Sequence, residues 1–140
     1  MMARMDIARA TAFLVDNHHA VLATRRRNGE PQMSPVTVAV DDDGRVLISS
    51  RETAVKVRNV QRDPHVWLCV FTDAFYGAWV QLAGTVEIVH LPEAMDLLVD
   101  YYRRASGEHP DWDDYRAAMV RDQRCVMVLT PTAAGPDISG

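Results

Sequence analysis

The feature that most constrains this chain is a series of short β-prone segments joined by tight turns. Asn28-Gly29 stands between two such segments, and Asn-Gly between apolar runs is the strongest short-range signal of a β-hairpin. Short connections of this kind favour antiparallel pairing. The predicted strands cover residues 20–24, 32–40, 45–50, 65–72, 78–90 and 124–129.

Helical patterns lie between and beside these strands. Apolar residues recur at helical spacing in 6–15, 52–61, 92–105 and 110–122. Pro35 lacks an N–H group and predicts an edge strand or a bulge, and Gly84 inside a long strand predicts a bulge or a barrel corner. Six strands with helices at the flanks indicate a small antiparallel barrel.

Length and composition fit one domain spanning residues 1–140. The segment 131–140 is rich in Gly, Pro, Ala and Ser and is predicted to be a mobile tail. No apolar run approaches the ~20 residues that a membrane helix needs, and the first residues carry no signal-peptide pattern. Cys69 and Cys125 lie in apolar runs, as reduced core thiols do. We therefore expect a cytoplasmic protein with no membrane partner.

The charge of the chain is uneven. The net charge is −4, which argues against a nucleic-acid partner held through phosphate contacts. Residues 45–62 nevertheless hold five cations and a single carboxylate. A basic segment on an acidic protein favours a small polyanion as ligand.

The sequence lacks the common catalytic motifs. It contains no GxSxG, P-loop, HExxH or GxGxxG motif, and its histidines do not fall at metal-ligand spacing, so we expect no metal site. No residue is assigned a catalytic role. An enzyme without its own nucleophile or acid–base motif often leaves the chemistry to a cofactor.

The basic segment contains the sharpest candidate for a binding site. Lys56, the only lysine of the chain, and Arg58 follow Ser49 and Ser50 near a predicted helix start. Two hydroxyl groups, two cations and the dipole of a helix N-terminus suit a phosphate group. The alternative is a solvated helix face with ordinary charges. A second cluster of positive charge, the three arginines at 25–27, is either part of an exposed turn or a contact for the far end of a polyanionic ligand.

Aromatic residues mark a further candidate. Tyr76 and Trp79 lie on either side of Gly77, where a loop leads into a strand. Such rings stack on planar ligands, and they are equally common in cores and dimer interfaces.

Three segments resemble one known superfamily. The motifs V-L-A-T-x-R-x-x-G-x-P-x-x-S-P-V (21–36), K-x-R-N-V-x-R-D-P (56–64) and A-G-T-V (83–86) resemble those of the pyridoxamine-phosphate-oxidase-like split barrels. The segment G-E-H-P-D-W-D-D-Y-R-A-A-M-V (107–120) resembles an actinobacterial branch of deazaflavin-dependent oxidoreductases.

The resemblance implies a mainly β fold with flanking helices, a six-stranded antiparallel split β-barrel of the FMN-binding type. It implies a homodimer with two cofactor sites at its interface, a small conjugated molecule as substrate, and coenzyme F420 as cofactor, with FMN as the alternative. A non-catalytic flavin or haem carrier and a purely structural module are the other readings. By position, the implied cofactor-binding residues are Ser34, Pro35, Val36, Ser49, Ser50, Lys56, Arg58, Asn59 and, from the partner subunit, Trp79.

Overall fold

Strands make up most of the computed structural model, which describes residues 5–136. The chain alternates between hairpins and short helices, as the turn signals predict. In chain order the elements are α1 (Ile7–Phe13), β1 (His19–Arg25), β2 (Pro31–Thr37), β3 (Ala39–Val40), β4 (Val46–Arg51), α2 (Val55–Arg62), β5 (His65–Phe71), β6 (Trp79–Val89), α3 (Ala94–Ser106), α4 (Trp112–Arg121) and β7 (Arg124–Ala134).

All the strands belong to one antiparallel sheet with the order β2-β1-β5-β6-β7-β4-β3. β2 and β3 lie at opposite edges of this sheet, yet only Val38 separates them along the chain. The sheet therefore curls until its two edges are neighbours, which makes a small barrel. The predicted fold class is confirmed, and β2, which carries Pro35, is an edge strand as expected.

The number of strands differs by one from the prediction, because the predicted strand 32–40 divides at Val38. Val38 is fully buried, and its N–H group donates to the carbonyl oxygen of His18 at 2.8 Å. Beyond Val38 the chain leaves its β1 partner and pairs with β4 instead. Local alternation cannot reveal this change of partner, since both halves are apolar and extended.

The interior of the barrel is filled by alternate residues of the strands. Leu22, Ile48, Leu68, Leu82 and Met127 are fully buried there, as the period of two along a strand requires. α1 packs into the same core through Ala10 and Leu14, and α2 through Val60.

A second apolar cluster covers part of the outside of the barrel. Leu47, Val126 and Val128 point outward from β4 and β7, and we call this surface the covered face because α3 and α4 pack on it. Leu98 of α3 and Tyr115 of α4 are the buried helical residues of this cluster. None of the helices within residues 5–136 is both long and apolar enough to cross a membrane.

Gly84 lies at the predicted irregularity of β6. The register between β6 and β7 shifts between Ala83 and Gly84, which confirms the bulge. A Cβ atom at Gly84 would press against the carbonyl oxygen of Thr130, so the two backbones approach closely at this corner.

The prediction of a mobile tail from residue 131 is corrected by the last strand. β7 continues to Ala134 and pairs with β6 across the bulge, and the N–H of Gly135 donates to the carbonyl oxygen of Gln81 at 3.0 Å. Composition misled here because Pro131 and the small residues after it sit at a barrel edge, where short side chains fit. Residues 137–140 of the predicted tail lie outside the described residues.

Candidate functional site

A pocket of about 510 Å³ opens between the barrel and the α3–α4 helix pair. Its walls come from distant parts of the sequence, because the curled sheet brings the end of β2, the middle of β4 and the start of β7 to one side. The residues that line it are Pro35, Val36, Thr37, Ser49, Lys56, Tyr101, Tyr102, His109, Asp114, Tyr115, Ala118, Met119 and Arg124. This volume lies within the range of small-molecule sites.

Two cations share one end of the pocket. Burial lowers the pKa of Lys56 below its ordinary value, and the positive charge of Arg124 lowers it further. Within residues 5–136, neither side chain has a carboxylate within 4 Å. Arg51 stands directly across the β4–β7 ladder from Arg124 and adds a third positive charge nearby. Like charges placed this close destabilise the chain unless an anion joins them.

Arg124 provides the most specific signal of a missing partner. Its Nε atom is buried and has no hydrogen-bond partner among the described residues. A buried donor without an acceptor costs free energy, and such groups are rare in native structures. The orphaned donor beside Lys56 indicates that this end of the pocket is built for an anion.

Another part of the pocket wall is aromatic. The ring of His109 packs edge-on against Tyr102 and Tyr115, with centroids 5.0 and 5.4 Å apart. Trp112 supports this group from behind, and the guanidinium of Arg103 lies 4.8 Å from the centre of the indole. The wall therefore carries aromatic rings against which a planar ring can pack.

Two tyrosine hydroxyl groups hold the pocket in shape. Tyr101 donates to the carbonyl oxygen of Thr37 at 3.1 Å, which ties α3 to the end of β2. Tyr115 donates to the carbonyl oxygen of Leu98 at 2.8 Å, and burial raises its pKa to about 12. Burial also raises the pKa of Tyr101. Both hydroxyls are neutral and serve as structural donors.

Four of the nine predicted site residues line this pocket: Pro35, Val36, Ser49 and Lys56. Ser34 precedes Pro35 but does not line the pocket, because it lies across from the buried Leu22 and so on the inner face of the sheet; its Oγ is buried with no hydrogen-bond partner among residues 5–136. The strand-two segment and the first serine and lysine of the basic segment thus come together around one cavity.

The structure places Ser50 elsewhere. Adjacent residues of a strand point to opposite faces, so Ser49 faces the pocket and Ser50 faces the barrel interior. Ser50 is 1% exposed, and its hydroxyl donates to the carbonyl oxygen of Arg51. The predicted pair of phosphate-binding hydroxyls is corrected to one.

Arg58 and Asn59 are also turned away from the pocket. Residues two positions apart in a helix differ by ~200° around its axis. Arg58 is therefore exposed to solvent while Lys56 faces the cavity. Asn59 is buried and joins α2 to β1, because its Nδ2 donates to Thr24 Oγ1 at 3.0 Å and its Oδ1 accepts from Arg62 at 3.1 Å.

Trp79 lies on a different surface. It lines an apolar pocket of about 310 Å³ with Cys69, Phe71 and Phe75 on the outer side of β5 and β6. This uncovered face, as we call it, is formed by half-buried and exposed side chains of neighbouring strands, and the described helices pack elsewhere. Its members are Val21, Ala23, Met33, Trp67, Cys69, Phe71 and Trp79.

Sequence reasoning missed Arg124 and the aromatic wall. Arg124 opens a strand 68 positions after Lys56, and no local signal links the two. His109, Trp112 and Tyr115 belong to the segment 107–120, which the resemblance singled out without a role. The helical spacing of that segment was the available signal, since Tyr115 and Met119 share one side of α4.

The family comparison covers nearly the whole chain. The model described as pyridoxamine 5'-phosphate oxidase matches residues 8–135.

Solved structures of similar fold include cofactor-binding proteins. An F420 reductase is 25% identical, with a TM-score of 0.68 over 89% of this chain and 94% of that protein. A conserved hypothetical protein from Mycobacterium tuberculosis is 24% identical, with a TM-score of 0.75 over 93% of this chain and 82% of that one. A pyridoxamine 5'-phosphate oxidase-related, FMN-binding protein from Nostoc punctiforme is 15% identical, with a TM-score of 0.62 over 91% of this chain and 78% of that one.

Proposed function

The chain belongs to the pyridoxamine 5'-phosphate oxidase family, and from that membership we propose that it is an oxidoreductase dependent on coenzyme F420. Its substrate is a small conjugated molecule, and its active site lies at the seam of a homodimer. The similarity to an F420 reductase over most of both chains supports the choice of cofactor.

The observation that carries this proposal is the unpaired cationic end of the pocket. Coenzyme F420 has a phosphodiester and an oligoglutamate tail, so it requires positive charge along its binding site. Lys56 and the orphaned Nε of Arg124 fit such a group, and the Ser49 hydroxyl beside them is a further donor. The residues present thus suit an anionic cofactor.

The remaining walls suit the rest of such a ligand. Tyr102, His109 and Tyr115 offer ring surfaces to a planar group, and Pro35 and Val36 give an apolar edge. When bound, the reduced deazaflavin supplies a hydride. The protein's residues orient the cofactor and the substrate relative to each other, which is the main contribution expected from a site without a nucleophile.

A homodimer is the second part of the proposal, and the uncovered face supports it. Met33 on this face is 63% exposed. In the adjoining loop between β5 and β6, Phe75 is 86% exposed and Tyr76 is 95% exposed, which is unusual for large, largely apolar side chains. A second copy would bury this face and bring the Trp79 pocket close to the cofactor of its neighbour.

Lys56→Ala tests the cofactor site. We expect the affinity for coenzyme F420 to fall by about 1.5–3 kcal/mol, or about 10- to 150-fold in Kd, the scale of a charged hydrogen bond. Fluorescence quenching of the purified protein measures this value. Arg58→Ala is the matched control, because it removes an exposed cation from the same helix and should bind like the wild type.

The same titration with FMN separates the cofactor alternatives. The fold similarity to an FMN-binding relative keeps FMN as the second candidate. Tighter binding of FMN than of coenzyme F420 would assign the protein to the oxidase-like part of the family. Tight binding without turnover of any substrate would favour a carrier, and binding of neither cofactor would reject the proposal.

A further inference from the structure

His109 is held in one orientation at the wall of the pocket. Its ring packs edge-on against Tyr102 and Tyr115, and the tilted ring of Trp112 lies 5.7 Å away. Its Nδ1 atom lies 2.9 Å from the backbone nitrogen of Asp111 in the first turn leading into α4.

This contact fixes the tautomer of the ring. A backbone N–H group is always a donor, so Nδ1 must accept and carries no proton. The proton of the neutral imidazole is therefore on Nε2. No residue within 5–136 forms a hydrogen bond with Nε2, so His109, which lines the pocket, retains one unused N–H donor.

Different elements bring opposite charges to the pocket. Lys56 of α2 and Arg124 of β7 line it as cations, whereas Asp114 of α4 lines it with His109 as a carboxylate. A second anion is disfavoured beside Asp114. The acceptor that suits Nε2–H is therefore a neutral oxygen, such as a carbonyl.

We propose that His109 donates a hydrogen bond from Nε2 to a ring carbonyl of the ligand in this pocket. With the anionic group of the ligand at Lys56 and Arg124, this bond fixes which end of the ligand faces which wall. The inference rests on the proposed function, because flavin and deazaflavin rings both carry carbonyl oxygens and an anionic side chain. His109 is in this sense a binding and orienting residue.

Two reciprocal substitutions separate this role from a structural one. In His109→Asn the amide oxygen can replace Nδ1 as the acceptor for Asp111, but nothing replaces Nε2. In His109→Gln the amide nitrogen can replace Nε2, but the acceptor for Asp111 is lost. We expect His109→Asn to keep a Tm close to the wild type and to bind coenzyme F420 about 3- to 10-fold more weakly, the loss of one hydrogen bond.

His109→Gln should show the opposite pattern, with a lower Tm and nearly unchanged affinity. If His109→Asn binds the cofactor as the wild type does, or if only His109→Gln loses affinity, the ring merely supports α4 and the inference is overturned. FMN replaces coenzyme F420 as the probe if the wild type prefers it. A wild type that binds neither cofactor rejects both this inference and the proposed function, whereas equal affinities of the wild type and His109→Asn reject this inference alone.

A measurement on the wild-type protein keeps the inference testable if either variant fails to fold. Long-range proton–nitrogen NMR spectra distinguish the two neutral tautomers of a histidine. We expect the proton on Nε2, with a changed Nε2 shift on addition of the cofactor. A proton on Nδ1, or an Nε2 signal that the bound cofactor leaves unchanged, would contradict the proposed bond.

Discussion

The covered and uncovered faces lie on the outside of the same sheet and are both apolar, but within residues 5–136 only the covered face is packed beneath helices. Val126 and Val128 on the covered face are buried beneath α3 and α4. Trp67 and Cys69 on the uncovered face remain half-buried, and Phe75 beside them is almost fully exposed. The difference teaches that α3 and α4 complete the covered face, whereas no described helix completes the other.

One charged substitution placed on each face sharpens this comparison, and the covered face should give the larger effect. Val126→Arg puts a cation into a fully buried site under α3, where it has no partner. We expect a loss of about 3–5 kcal/mol in the free energy of unfolding, enough to prevent folding of a marginally stable chain. Urea denaturation or the soluble yield of the variant measures it, and a folded variant of wild-type Tm would refute the burial of this face.

Cys69→Arg makes the same change on the uncovered face. The arginine can extend to solvent in the single subunit, so we expect its stability to stay within ~1 kcal/mol of the wild type. The proposed dimer would bury the charge, so its Kd should rise about 100-fold or more. Sedimentation equilibrium at several concentrations measures this shift. An unchanged oligomeric state would place the subunit contact elsewhere.

The smallest expected effect is the change in the free energy of unfolding that comes from the titration of Tyr115 on the covered face. Burial raises the pKa of Tyr115 from about 10 when unfolded to about 12 when folded, so its stabilising contribution is complete below pH 10 and is lost as the pH rises from 10 to 12. At pH 11 about 1.4 kcal/mol of this contribution is lost. We expect Tyr115→Phe to be less stable at pH 8, through loss of the bond to Leu98, and to decline less steeply above pH 10. Chemical denaturation from pH 8 to pH 11 compares the two slopes, and parallel curves would contradict the assignment.

Local rules account for much of the fold. The side chain of Asp6 accepts from the N–H of Ala8 and caps α1, Gly107 ends α3 with φ 84°, and Gly84 marks the bulge in β6. Each of these signals depends on residues within a few positions, where backbone sterics and capping decide the outcome.

The parts that sequence could not predict depend on distant partners. Val38 divides a continuous apolar run because the chain must pass from one sheet edge to the other. Pro131 continues strand β7 because it pairs with Gly84 of β6. Arg124 reaches the pocket only because β7 pairs with β4, and Ser50 leaves it because the face of a strand is set by its neighbours.

The sequence predicted where the candidate site lies, but not which residues line it. The basic segment identified Lys56 and its surroundings, since excess positive charge is visible in the sequence. Which of Lys56 and Arg58 faces a cavity depends on how α2 packs, and Val57 and Val60 decide that by entering the core. The aromatic wall was not foreseen, since nothing local shows that α3 and α4 fold back over β4.

Lys56 is the single lysine of the chain, and its side chain lines the pocket. Reductive methylation with carbon-13 formaldehyde would therefore label one ε-amine in the whole molecule, in addition to the α-amino group. The two methyl groups retain the positive charge, and their resonance is sensitive to the protonation of the nitrogen. The protein thus carries an intrinsic spectroscopic reporter at the place where an anionic ligand would bind.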